Sequence, residues 1–179
     1  RPNVGKSTLF NCIIGKRKAL VNDEPGVTRD WNDEFYHFTD FSLQLIDTPG
    51  LNNDTKDIFE KKLNIKTFSA IEKSNLIIFV LDAKTGIINE EFLIFKKIRK
   101  FNKKIFVVIN KAEGKVNFVK DDVYKLGINE IFEISAEHSI GIANLIEKLG
   151  DNFKKNIIEY EKNIPTKKHV INIAVVGRP

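Results

Sequence analysis

The chain has 179 residues, 42% of them hydrophobic, with 29 Lys+Arg against 24 Asp+Glu and a formal net charge of +5. That length and apolar fraction suit one domain with a real core, and the longest apolar runs are of strand length, which excludes a membrane-spanning helix. The small positive surplus is spread along the chain, so it reads as a lysine-rich solvated surface and argues only weakly for nucleic acid.

Cys12 is the single cysteine, so no internal disulfide can form and a cytoplasmic setting fits best. The sequence contains no methionine, and neither a signal peptide nor a natural start is recognisable at Arg1. It reads as a fragment that opens inside a phosphate-binding motif, "RPNVGKSTLF", and closes on "NIAVVGRP", the front half of another.

The first element expected is a helix over "KSTLFNCIIG", where Leu9, Phe10, Ile13 and Ile14 share a face and Gly15 closes the helix. After a polar stretch, "EFYHF" and "FSLQLID" are separated only by Thr39 and Asp40, which predicts an antiparallel hairpin whose second strand ends on Asp47. "TPGLNNDTKD" is rich in turn residues, and a helix runs through "IKTFSAIEKS". The apolar "NLIIFVLDA" predicts a buried strand ending near Asp82. In "INEEFLIFKKIRKF", Ile88, Phe92, Phe95 and Ile98 fall in helical register, and "KKIFVVIN" predicts a strand ending at Asn110. A helix around 117–126 and the short strand "IFEIS" repeat the unit. Ile142, Leu145, Ile146, Leu149 and Phe153 mark the inner face of a last helix. "YEKNIPTKKH" reads as a linker, and "VINIAVVG" is again of strand length. Strand-length runs alternating with helices specify an α/β fold: a mostly parallel sheet with one antiparallel edge hairpin and helices on both faces.

Chemistry concentrates at the predicted strand ends. In "NVGKST", residues Asn3, Val4, Gly5, Lys6, Ser7 and Thr8 form the core of a phosphate loop, in which backbone amides wrap phosphate, a lysine reaches its outer oxygens and a hydroxyl takes a magnesium position. Lys6 and Ser7 fill the last two roles, while the glycine that should precede the loop falls just before Arg1. Asp47 ends a strand and is followed by "TPG"; its carboxylate can hold a magnesium-bound water, and the Gly50 amide can meet a terminal phosphate. Asn110, Lys111 and Glu113 open the loop after the next buried strand, on the edge where open α/β sheets collect ligands. A carboxylate there can accept the ring and amino hydrogens of guanine, which adenine cannot offer. "SAEH" adds Ser135, Ala136 and Glu137, with the Ala136 amide in reach of the base carbonyl oxygen.

These motifs, "RPNVGKSTLFN", "DEPGVTRD", "LIDTPGL", "NKAE" and "SAEH", resemble the translational-GTPase-like branch of the P-loop GTPases, and within it the tandem-domain ribosome-assembly GTPases of the Der or EngA family. The resemblance implies a GTP-hydrolysing molecular switch, slow on its own at about 10⁻⁴ s⁻¹, that uses GTP or GDP with Mg²⁺ and acts on the large ribosomal subunit. It implies that Thr28 is the switch threonine, joining Ser7 and Asp47 at the metal, and that Lys6, Thr28 and Asn3 serve catalysis. Leu51 stands where related enzymes carry a water-positioning glutamine and cannot orient water through a hydrogen bond. Relatives of this kind use a potassium ion held partly by the residue at Asn3, so K⁺ dependence is expected. Glu113 departs from the usual "NKxD", and its extra methylene should weaken guanine preference without abolishing it. Two other readings remain: a nucleotide-regulated binding module with little hydrolysis, and an ATP-using P-loop enzyme, which "NKAE" and "SAEH" disfavour.

By the same resemblance residues 1–155 are a first G domain lacking its own first strand, 156–169 a linker, and 170–179 the first strand and loop entry of a second G domain. A sheet missing that interior strand exposes two neighbours. Residues 170–177 are expected to fill the slot, by folding back or by strand exchange between molecules, or else to form a stub outside the sheet.

Overall fold

The structure is a computed structural model that describes residues 4–15, 32–38, 41–51, 58–114, 123–124, 126–161 and 170–178. Asn3, Thr28 and most of the helix expected around 117–126 lie outside the described residues.

The elements in chain order are α1 (Lys6–Gly15), β1 (Asn32–His37), β2 (Ser42–Asp47), α2 (Ile58–Lys73), β3 (Leu76–Asp82), α3 (Asn89–Arg99), β4 (Lys104–Asn110), β5 (Ile131–Glu133), α4 (Ile142–Glu161) and β6 (Val170–Gly177). They build one 6-stranded sheet in the order β1-β2-β6-β3-β4-β5. The β1–β2 hairpin is antiparallel and every other pairing is parallel. This is the α/β architecture read from the alternation of apolar runs and helices.

Side chains on the inner strands divide by the two-residue pleat. Leu76, Ile78 and Val80 of β3 join Leu9, Phe10, Leu145 and Leu149 from α1 and α4 in one core, whereas Ile77, Phe79 and Leu81 join Ile71, Ile94, Phe95 and Ile98 from α2 and α3 in another. Both faces are thus covered, which is why β3 is buried at every position. Two expectations change at the helices. First, α2 starts at Ile58, seven residues before the predicted segment. Second, α3 turns Glu91, Ile94, Phe95 and Ile98 inward, leaving Phe92 39% exposed under the Lys96 ammonium, 4.5 Å from its ring centroid. The reason is at its start: Ile88 has no capping side chain, and the Glu91 carboxylate turns back to accept the Ile88 amide at 3.1 Å. That bond fixes Glu91 on the buried side, where loss of solvation raises its pKa against the opposing pull of the Ile88 bond.

β6 lies between β2 and β3, pairing Leu43 with Ile171 on one side and Ile77 with Ala174 on the other. Polar clasps fix its register at both ends. Asn75 donates its amide to the Asn172 carbonyl at 2.7 Å and its side chain accepts the Asn172 amide at 3.0 Å; the buried Thr48 hydroxyl donates to the Val175 carbonyl at 2.6 Å. Ile173 is fully buried in the α1/α4 core. Ile173→Ala should therefore cost about 2–5 kcal/mol in denaturant unfolding, whereas truncating Ile65, which is 66% exposed, should stay within about 0.5 kcal/mol.

Candidate functional site

The parallel strands deliver Asp47, Asp82, Asn110 and Gly177 to one edge of the sheet, where α1 also begins. A cleft of ≈ 260 Å³ opens there, lined by Gly5, Lys6, Ser7, Thr8, Asn110, Lys111, Ser135 and Glu137. The sequence placed all eight in one nucleotide site, and the fold brings them together from three loops. Val4 and Ala136 sit behind them, each 4% exposed.

Gly5 shows how tightly the first loop is built. Its φ is +88°, open to glycine and strained for other residues, and a Cβ on it would stand 2.2 Å from Asn110 Nδ2. The Gly5 carbonyl then accepts the Leu9 amide at 2.9 Å, the first turn of α1, leaving the preceding amides at the helix N-terminus for an anion. Lys6 crosses the loop entrance and donates to the Arg178 carbonyl at 2.8 Å. Gly177 lets this happen: a Cβ there would come within 2.9 Å of the Val80 carbonyl and 3.1 Å of the Val4 side chain. Arg178 is held in turn by Glu90, with Nε 3.1 Å from the carboxylate.

Burial pulls the Lys6 ammonium below its ordinary pKa of 10.5, and the Asp47 carboxylate works against that shift. Asp47 closes β2 with one carboxylate oxygen, Oδ1, buried and without a protein partner. No cluster of three His, Cys, Asp or Glu suitable for a metal exists among the described residues. An orphaned carboxylate oxygen close enough to Lys6 to act on its charge fits a hard cation that keeps most of its ligands as water and phosphate, which is the habit of Mg²⁺. The following segment is anchored by Thr67, whose hydroxyl donates to the Pro49 carbonyl at 2.8 Å, and by the Leu51 amide, which donates to the Gly177 carbonyl at 3.1 Å. Leu51 itself is 2% exposed and packs into the α2/α3 core.

At the other end of the cleft Asn110 is the junction. Its Nδ2 donates to the Val4 carbonyl at 2.9 Å and its Oδ1 accepts the Ala136 amide at 2.9 Å, so one buried carboxamide ties the phosphate loop to the loops after β4 and β5. One expectation changes: the Ala136 amide, expected to face the base carbonyl oxygen, donates to Asn110 Oδ1. Lys111 takes a left-handed φ of +64° and donates to Asp82 at 2.7 Å; strain of this kind collects at functional sites. Glu113 is held below the usual carboxylate range first by its own backbone amide, then by the Ser135 hydroxyl and by Lys84. Asp82 and Lys84 were not among the predicted site residues. Their only signal was a carboxylate ending a wholly apolar strand directly opposite Asn110.

A glycine-wrapped helix N-terminus with a half-buried lysine, an orphaned acid and the loops clamped by Asn110, all at the carboxyl edge of a parallel sheet, define a P-loop GTPase domain. Residues 1–111 match the family described as 50S ribosome-binding GTPase, and the chain belongs to that family. Along its whole length it is 42% identical to the GTPase Der of Karelsulcia muelleri (strain GWSS), of which it spans 40%. Two solved structures share the fold at 28% identity, each over 83% of this chain and 53% of theirs. They are Era with MgGDPNP and nucleotides of 16S ribosomal RNA, at a TM-score of 0.67, and Era of Aquifex aeolicus with GDP.AlF4-, at 0.68.

Two outcomes follow from the geometry. Gly5→Ala forces both a strained φ and displacement of Asn110, so it should lower stability by about 2 kcal/mol or more in denaturant unfolding and lose GDP binding in titration calorimetry. For Lys6, the folded pKa lies below the unfolded value, so the unfolded chain binds the proton more tightly. The nucleotide-free domain should gain stability as pH rises from the lowered pKa to 10.5. Lys6→Met should remove that gain in denaturant titrations run as a pH series, while in the unsubstituted protein GDP affinity falls over the same interval as the ammonium is lost.

Proposed function

We propose that the chain is a GTP-hydrolysing switch domain that acts in assembly of the large ribosomal subunit. The observation that carries it is the Asn110 clamp, which ties the phosphate loop to the loop after β5 across one cleft; Glu113, on the loop after β4, supplies a carboxylate suited to guanine. Hydrolysis at such a site is positioning and charge stabilisation, with no covalent intermediate. Lys6 meets the outer phosphate oxygens, Ser7 and Asp47 hold the metal side with Thr28, and Lys111 and Glu113 flank the base. Magnesium, when bound, neutralises charge developing on the phosphates. The large-subunit role is supported by the family's description, 50S ribosome-binding GTPase. A cytoplasmic setting accords with these relationships, and no helix among the described residues is long and apolar enough to cross a membrane. Residues 1–155 with the strand 170–177 form the nucleotide-binding unit in this reading, and 170–179 double as the opening of a second G domain.

Leu51 favours a second reading, a nucleotide-regulated binding module with little turnover, because a side chain packed in the core cannot orient water. Potassium bears on the choice, since an added positive charge near Asn3 supplies stabilisation that position 51 lacks. Phosphate release at saturating GTP and Mg²⁺ should be slow, faster in KCl than in NaCl at equal ionic strength, and absent in Lys6→Ala. Release no faster than that of Lys6→Ala in either salt selects the binding module, and equal rates in the two salts remove potassium from the proposal.

A further inference from the structure

The turn after β3 reaches both arms of the base-reading loop. Asp82 uses one carboxylate oxygen to accept the Lys111 ammonium at 2.7 Å and the other to accept the backbone amide of Lys84 at 2.8 Å. The turn is tied again by the Ala83 amide, which donates to the Asn110 carbonyl at 2.8 Å. Lys84 is therefore held in place by its main chain, and its side chain extends to Glu113, with Nζ 3.5 Å from Oε1.

Glu113 needs such a partner. Where an aspartate would present its carboxylate on a short stem, glutamate has one more rotatable bond, and a free rotor spreads its acceptor oxygens over several positions. Ser135, itself 1% exposed and lining the cleft, donates to the carboxylate from one side. Lys84 supplies the second point of attachment, and two points define the plane in which a carboxylate can accept two parallel N–H groups. With side-chain exposures of 56% and 23%, the ion pair is too wet to matter for global stability. Its effect falls on where one carboxylate points.

We propose that Lys84 is a positioning residue for guanine recognition: its ammonium, anchored by the Asp82 turn, aims the Glu113 carboxylate at the two N–H groups of the guanine edge. The inference rests on the guanine-nucleotide reading and adds a residue to it. It explains how a longer acid in the "NKAE" loop serves in place of aspartate, because Lys84 and Ser135 take up the freedom that the extra methylene introduces.

The test compares GDP with IDP, which keeps the ring N–H but lacks the amino group. By calorimetry with Mg²⁺, Lys84→Ala should weaken GDP about fivefold, the size of a well-placed exposed charge contact, while IDP changes less, so the GDP-to-IDP affinity ratio falls. Lys84→Arg should restore the ratio, and the thermal midpoints of all variants should match. In Glu113→Asp, whose shorter acid stands farther from the ammonium, Lys84→Ala should have little further effect. An unchanged ratio in Lys84→Ala, or equal weakening of GDP and IDP, overturns the assignment of Lys84 and leaves the guanine site standing. Failure of the unsubstituted protein to bind GDP overturns the guanine reading itself.

Discussion

The Asn110 side chain donates to the Val4 carbonyl and accepts from the Ala136 amide, and the geometry of the cleft depends on that pair of bonds. Val4 and Ala136 belong to loops 132 positions apart in sequence, and both are buried. A buried carboxamide satisfied at both ends is stiff, since breaking either bond strands a polar group away from water at a cost of about 1–3 kcal/mol. Gly5 is the complement of this arrangement, because only a residue without Cβ leaves room for the carboxamide to reach Val4. The phosphate loop and the loops after β4 and β5 are therefore tied together by the protein's own bonds.

That junction works because the sheet puts the loops side by side. β6, β3 and β4 run parallel toward the same edge, Asp82 opposite Asn110 and Gly177 opposite Val80, two residues short of the end of β3. Gly177 then shares the space of Val4 and Lys6, and its carbonyl accepts the Leu51 amide. The segment after β2, the entry to the phosphate cradle and the lysine that spans it thus form one hydrogen-bonded unit. A shift of β6 along its neighbours by one residue would turn Ile171, Ile173 and Val175 to the opposite core and carry Gly177 away from the loop. The register of a central strand and the geometry of the site are consequently the same constraint.

Much of this was legible in the sequence because it is written in local patterns. Strands such as "LIIFVLD", buried on both faces, read as continuous apolar runs, and Leu9, Phe10, Ile13 and Ile14 lie where the helical period puts them. The motifs that line the cleft were legible because phosphate and base chemistry demand particular residues at particular spacings. What was not legible depends on contacts between distant segments. The inner face of α3 was misjudged because Glu91, a charged residue, is turned inward by a bond to the Ile88 amide. The roles of Asp82 and Lys84 come from Lys111 and Glu113, some thirty positions away, and no spacing rule encodes them. The Ala136 amide was assigned to a base because the motif fits one, while the fold directs it at Asn110.

Leu51 sets the terms on which such a domain can hydrolyse GTP. Its side chain is held in the α2/α3 core and its amide is bound to Gly177, so freeing it to contact water would break packing as well as a hydrogen bond. A turnover near 10⁻⁴ s⁻¹ corresponds to a barrier of about 23 kcal/mol. Reaching about 1 s⁻¹ requires roughly 5–6 kcal/mol more stabilisation of the transition state, beyond the contribution of any single neutral hydrogen bond. The size of that gap calls for a positive charge placed against the phosphates in a site that excludes water, whether an ion or a residue brought by a partner. A site with a rigid cradle and an apolar residue at position 51 is suited to binding nucleotide first and hydrolysing it when such a charge arrives. In the switch reading, control would rest with whatever delivers the charge, with the cradle holding the γ-phosphate until that happens.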